Sequence, residues 1–97
     1  MIRHVVLITF TEEATGQQRQ QVQTELETLP PVIPELRAYK CGPDAGIVAG
    51  NADFAVVADF DDAAGYLAYR NHPAHRAVIE QVLNPIARQR VSVQFEI

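Results

Sequence analysis

Apolar residues fall into four short strand-like runs and two helical stripes. From Ile2 to Phe10, Val6, Ile8 and Phe10 share one face and Val5 and Leu7 the other. A β-branched run that is apolar on both faces predicts a strand in a sheet covered on both sides. Thr15-Gly16-Gln17-Gln18 has the S/T-x-x-Q spacing of a capping box, with Thr15 as N-cap. Val22, Leu26 and Leu29 follow at helical spacing, and Pro30-Pro31 ends that helix. Leu36 to Cys41 predicts a second strand, followed by a Gly42-Pro43-Asp44 turn and a glycine-rich surface loop to Asn51. The third strand is expected from Ala52 to Phe60. Asp61-Asp62 then opens a short helix from about Ala63 to Arg70, and Asn71-His72-Pro73 breaks it, with Pro73 in the first turn of the next helix. Val78, Ile79, Val82, Leu83 and Ile86 form that helix's apolar stripe, which Pro85 kinks or ends. Arg90 to Ile97 alternates cleanly and predicts the last strand, with Val91, Val93, Phe95 and Ile97 opposite Ser92, Gln94 and Glu96.

The predicted order is β-α-β-β-α-β, an α+β, ferredoxin-like subunit in which one set of helices lies on an antiparallel sheet. Helices from one chain cover only one face of such a sheet. The apolar residues on the other face need a second cover, and an identical sheet from another copy is the simplest one. The expected assembly is therefore a homodimer closed as a dimeric α+β barrel.

The length of 97 residues fits one domain spanning residues 1–97. A single cysteine excludes an internal disulfide framework. A net charge of −4 speaks against a broad nucleic-acid surface, so no nucleic acid is expected as partner. There is no signal-like leader and no apolar run of membrane-spanning length, so the expectation is a cytoplasmic protein without membrane association.

The densest polar constellation is Tyr66, Tyr69, His72 and His75. His75 lies on the apolar stripe of the last helix and points toward the sheet. Tyr69 precedes a helix break that can turn its phenol toward the same place. An imidazole titrating near neutrality beside a phenol can move a proton and polarise a carbonyl. The competing reading is a histidine that only satisfies a backbone carbonyl. His72, beside Pro73, reads as a turn or capping residue. His4 shares a face with Val6 and Ile8 and enters the interior. His72 and His75 lack a matching third ligand, so no metal is expected. Cys41 reads as an inert thiol, and Asp59, Asp61 and Asp62 as capping residues.

Ile2-Arg3-His4-Val5-Val6-Leu7, Gly42-Pro43-Asp44, Val57-Ala58-Asp59-Phe60 and above all Tyr69-Arg70-Asn71-His72-Pro73-Ala74-His75 resemble the stress-responsive A/B barrel (Dabb) family over nearly the whole chain. The resemblance implies a ferredoxin-like subunit and a dimeric barrel, in a family most of whose members have no assigned reaction. It also implies, through the family's metal- and cofactor-free polyketide cyclases, catalytic roles for Tyr69 and His75 and a pocket place for His4. Phe54 stands where those cyclases carry another pocket histidine, which implies a more apolar pocket here. The combined expectation is a small homodimer of unassigned reaction that binds a small apolar ligand through His4, Phe54, Tyr66 and His72. The alternative is a cofactor-independent cyclase-like lyase or isomerase acting through Tyr69 and His75.

Overall fold

The computed structural model describes all 97 residues. Strand β1 spans Ile2–Phe10, helix α1 Gly16–Leu26, β2 Ala38–Pro43, β3 Phe54–Phe60, helix α2 Ala63–Asn71, α3 Pro73–Val78 and β4 Ala87–Glu96. The four strands form one antiparallel sheet in the order β2-β3-β1-β4, the ferredoxin-like arrangement. Its even-numbered β1 residues Val6, Ile8 and Phe10 join Phe54, Val56, Ala58 and Phe60 of β3 in one core with Val22 and Leu26 of α1 and Tyr69 of α2. All the helices therefore lie on one face.

The capping box at Thr15 is present on both sides. Thr15 Oγ1 accepts from the Gln18 amide at 3.1 Å, and Gln18 Oε1 accepts from the Thr15 amide at 2.9 Å. Only Val22 and Leu26 are buried within α1, so its ends matter to its stability. Thr15→Ala is expected to cost about 1 kcal/mol, read as a lower urea midpoint at unchanged slope. An unchanged midpoint would show that this cap contributes nothing.

Several boundaries differ from the sequence pattern, and β3 begins at Phe54 rather than Ala52. Helix α1 stops at Leu26, before Pro30-Pro31, and Leu29 stays buried in the turns that follow. Strand β2 is displaced toward the C-terminus, and Gly42 and Pro43 pair with Ala55 and Phe54 rather than forming a turn. This is possible because β2 is an edge strand, where a missing proline N–H costs no ladder bond. Asp44 instead begins the loop, its carboxylate accepting from the Gly46 amide at 3.0 Å and from the Asn51 side chain at 3.0 Å. Strand β4 begins at Ala87, three residues earlier than its alternation suggested.

Past Val78 the helix widens. Residues Ile79–Leu83 form a π turn, closed by the Asn84 amide donating to the Ile79 carbonyl, and Asn84–Ile86 form a 3₁₀ turn into β4. The wider turn lets Val78 and Leu83, five residues apart, both be buried. Pro85 sits in the tightened end, where its ring ends the helix.

The acidic cluster is not a set of caps. Asp62 caps α2, accepting from the Gly65 amide at 2.9 Å. Asp59 instead takes a two-pronged bond from Arg3 at 2.8 and 2.9 Å, and Asp61 takes another from Arg37 at 3.0 and 2.9 Å. Each carboxyl is held below its usual range by its guanidinium.

The helix-free face carries the apolar residues that the pattern left uncovered. Leu7 lies opposite Val91, Val5 opposite both Val93 and Val57, and Arg3 opposite Phe95. Leu7, Val91, Val93 and Phe95 are 45–56% exposed, which makes this face a continuous apolar surface.

Candidate functional site

The helices do not cover the sheet evenly. Between α2, α3 and the π turn on one side and β1 and β4 on the other lies an open cavity of about 610 Å³. The β-strand period places His4, Val6 and Ile8 of β1 in its floor, with Val56 of β3 beside them. Helix α2 brings Tyr66 and Tyr69, α3 brings His75, and β4 brings Arg90, Ser92 and Gln94.

The Asn71-His72-Pro73 break explains how two short helices reach one spot. His72 is the N-cap of α3, its Nδ1 accepting from the Ala74 amide at 3.1 Å. Pro73 occupies the first turn, where its missing N–H has no partner to lose. The turn lays His75 against Tyr69 with ring centroids 4.2 Å apart. His4 sits 4.8 Å from Tyr66 and 6.3 Å from Tyr69 by ring centroids. Sequence reasoning placed His4, Tyr66, Tyr69 and His75 in one pocket, and the structure brings these four together. It does not bring in His72, which is spent on the cap. Phe54 is also outside: it is buried beside Phe10 at 6.1 Å, and Val56 is the β3 residue in the cavity wall.

Hydrogen bonds set the proton positions. His75 Nδ1 lies 3.2 Å from the Arg70 carbonyl, which only accepts, so Nδ1 carries the proton and Nε2 keeps its lone pair. Gln94 Nε2 donates to His4 Nδ1 at 2.8 Å, which leaves the His4 proton on Nε2. Burial, reinforced by the nearby His75, lowers the His4 pKa to about 4. Burial lowers that of His75 as well, with Arg90, His72 and Arg70 adding to the effect against the opposing Arg70 carbonyl bond. Both imidazoles are thus neutral at pH 7, one offering an N–H and the other a lone pair.

Tyr69 is 2% exposed, and burial pushes its phenol up to about 12. Its hydroxyl lies 3.4 Å from that of Tyr39, whose own pKa burial raises further. When Tyr39 donates in this pair, the Tyr69 proton is left free to donate in turn. Tyr69 is therefore a neutral hydrogen-bond donor and not a base. Cys41 is half-buried, and burial pushes its thiol up to about 11, which keeps it protonated and a poor nucleophile. No three His, Cys, Asp or Glu side chains converge in a way that could hold a metal ion.

Gln94, Arg90 and Ser92 were not anticipated as site residues. Their only signal was the alternation of β4, which set Ser92 and Gln94 on the face opposite Val91 and Val93. The register pairs Gln94 with His4, Ser92 with Val6 and Arg90 with Ile8, and so turns those positions toward the cavity.

The family model for the stress responsive A/B barrel domain matches residues 2–97. The chain belongs to this family. Among solved structures, a dimeric ferredoxin-like protein of unknown function from Thermobifida fusca YX is 47% identical, with a TM-score of 0.92 over 99% of this chain and 90% of that one. A dimeric protein of unknown function with a ferredoxin-like fold from Bacteroides fragilis is 22% identical, with a TM-score of 0.85 over 99% of this chain and 95% of that one. The hydroxynitrile lyase of Passiflora edulis has 21% identity and a TM-score of 0.85 over 99% of this chain and 92% of that one. At such identities the likeness of the last two to this Dabb protein is one of fold. None of the curated proteins compared matches the chain. No helix is long and apolar enough to cross a membrane.

Proposed function

We propose that this Dabb protein is a homodimer whose protomers each bind a small molecule with an apolar body and a carbonyl or hydroxyl group. The observation that carries the reading is the open cavity itself. It joins an apolar floor of Val6, Ile8 and Val56 to a small set of converging polar groups on His4, Tyr69 and His75. A concave pocket that sets apolar surface beside placed donors and acceptors is the usual form of a small-molecule site. The apolar helix-free face and the dimeric relative at 47% identity support the assembly.

The complementary tautomers favour a second reading of the same pocket, as a cofactor-independent lyase or isomerase. His75 Nε2 would take a proton from a carbon or hydroxyl of the substrate. Tyr69 and the His4 Nε2–H would donate to the oxygen on which charge develops. Neutral imidazoles suit this division because the base is unprotonated at pH 7 and each donor sits in a partly buried site where its bond counts for more.

Calorimetric titration with a panel of β-diketones and quinones tests both readings. At least one compound is expected to bind, and Tyr69→Phe and His75→Ala are each expected to weaken it roughly tenfold, the usual loss of one buried hydrogen bond. Any turnover should fall by about 10²–10⁴ in His75→Ala. Binding and turnover unchanged in both variants would remove these residues from the site.

A further inference from the structure

We propose that the cavity selects ligands whose apolar body ends in a carboxylate, and that Arg70 and Arg90 receive that group. The inference rests on the binding reading above and names the class of ligand.

The charge around the cavity is unbalanced. Arg70, Arg76 and Arg90 line it, and Glu80 is the one carboxylate among the lining residues. Glu80 is already engaged by Arg76 at 3.4 Å. Arg3, Arg19 and Arg37 elsewhere in the fold likewise have an aspartate within 4.0 Å. Arg70 and Arg90 have neither an acidic partner nor a side-chain hydrogen bond, although the chain as a whole carries a net charge of −4. An acidic protein that leaves two guanidinium groups unpaired in the lining of a cavity with an apolar floor offers an anion both partners and a destination.

The two arginines come from opposite walls, Arg70 from the last turn of α2 and Arg90 from β4. Both line the cavity together with His75, whose Nδ1 lies 3.2 Å from the Arg70 carbonyl. Ile8, Val56 and Leu83 supply apolar lining, with Ile8 directly across the β1–β4 register from Arg90. A ligand in this cavity would set its hydrocarbon against the apolar side chains of the sheet and its charge toward the arginines. A planar, singly charged carboxylate matches the forked donors of a guanidinium.

Octanoate and octanamide share the same chain length and differ in charge, so calorimetric titration with the pair isolates the headgroup. At low salt, octanoate is expected to bind roughly tenfold tighter than octanamide, a modest value for charge-assisted bonds at a solvent-accessible mouth. The ratio should fall toward one in the Arg70→Gln/Arg90→Gln double variant. It should also shrink at ~1 M salt, where the screening length is ~3 Å. Arg88→Gln, which changes a β4 arginine outside the cavity lining, should keep the wild-type ratio. If octanamide binds as tightly as octanoate, or the ratio survives in the double variant, the carboxylate preference is overturned while ligand binding stands. If neither compound nor any member of the carbonyl panel binds, the binding reading itself is overturned, and this inference with it.

Discussion

A Val93→Glu protein is expected to sediment as a monomer at micromolar concentration, and the unaltered chain at twice its 10.8 kDa mass. Val93 lies opposite Val5 on the helix-free face and is 56% exposed in the protomer. Its replacement therefore removes nothing from the core, and circular dichroism should be unchanged. In the dimer it would lie within an apolar surface formed by Leu7, Val91 and Phe95 and their copies. Burying each of these half-exposed side chains contributes ~1 kcal/mol. The sum over two protomers offsets an association cost of roughly 4–15 kcal/mol with little to spare. Symmetry doubles the damage: one substitution places two carboxylates in the seam, and each costs several kcal/mol to desolvate. A Val93→Glu chain that still sediments as a dimer would show that the copies associate elsewhere. A wild-type chain that is monomeric would leave the apolar face without its proposed cover. The melting temperature of the wild type should also rise with protein concentration, and that of the variant should not.

The second large effect is on stability in mild acid. In the unfolded chain His4 titrates near its ordinary value of 6.5, whereas burial beside His75 brings it to about 4 in the fold. Between these values the unfolded state binds the extra proton, so stability is lost as the pH falls through this window and levels off below it. At 1.36 kcal/mol per pKa unit the loss is about 3 kcal/mol, a sizeable fraction of the 5–15 kcal/mol typical of a domain. His75 is shifted in the same direction and adds to it. The lowered Asp59 and Asp61 act below this window, because their unfolded value is 3.8. Urea denaturation at pH 7, 5.5 and 4.5 reads the slope directly. His4→Gln is expected to be less stable at pH 7, through the lost contacts to Tyr66 and Gln94, and flatter toward acid. Equal acid losses in the two proteins would mean that His4 is already accessible to protons in the fold.

Local features of the chain were legible because their causes are local. The capping box at Thr15, the helix break at His72-Pro73 and the apolar parity of β1 each depend on residues within a few positions of one another. Their consequences extended to the site. The parity of β1 put His4 on the same side as Val6, and the break turned Tyr69 and His75 toward each other. Phe54 illustrates the limit. It shares its face with Val56, but its distance along β3 sets it beside Phe10, away from the cavity, and no pattern within β3 measures that distance.

The sequence by itself determined the order and kind of the elements, the apolar surplus on one sheet face, and the faces on which His4 and His75 sit. The tertiary structure alone decided which partners those residues meet. Gln94 reaches His4 across 90 positions of chain, through a β1–β4 register that neither strand's alternation specifies. The same register brings Arg90 beside Ile8 in the cavity lining. Gly42-Pro43 became strand because β2 lies at the sheet edge, and Leu83 stays buried five residues after Val78 because a π turn intervenes. Periodicity and caps are written in neighbouring residues; register, edge position and cross-chain hydrogen bonds follow from how distant segments pack, and these set the protonation and charge of the site.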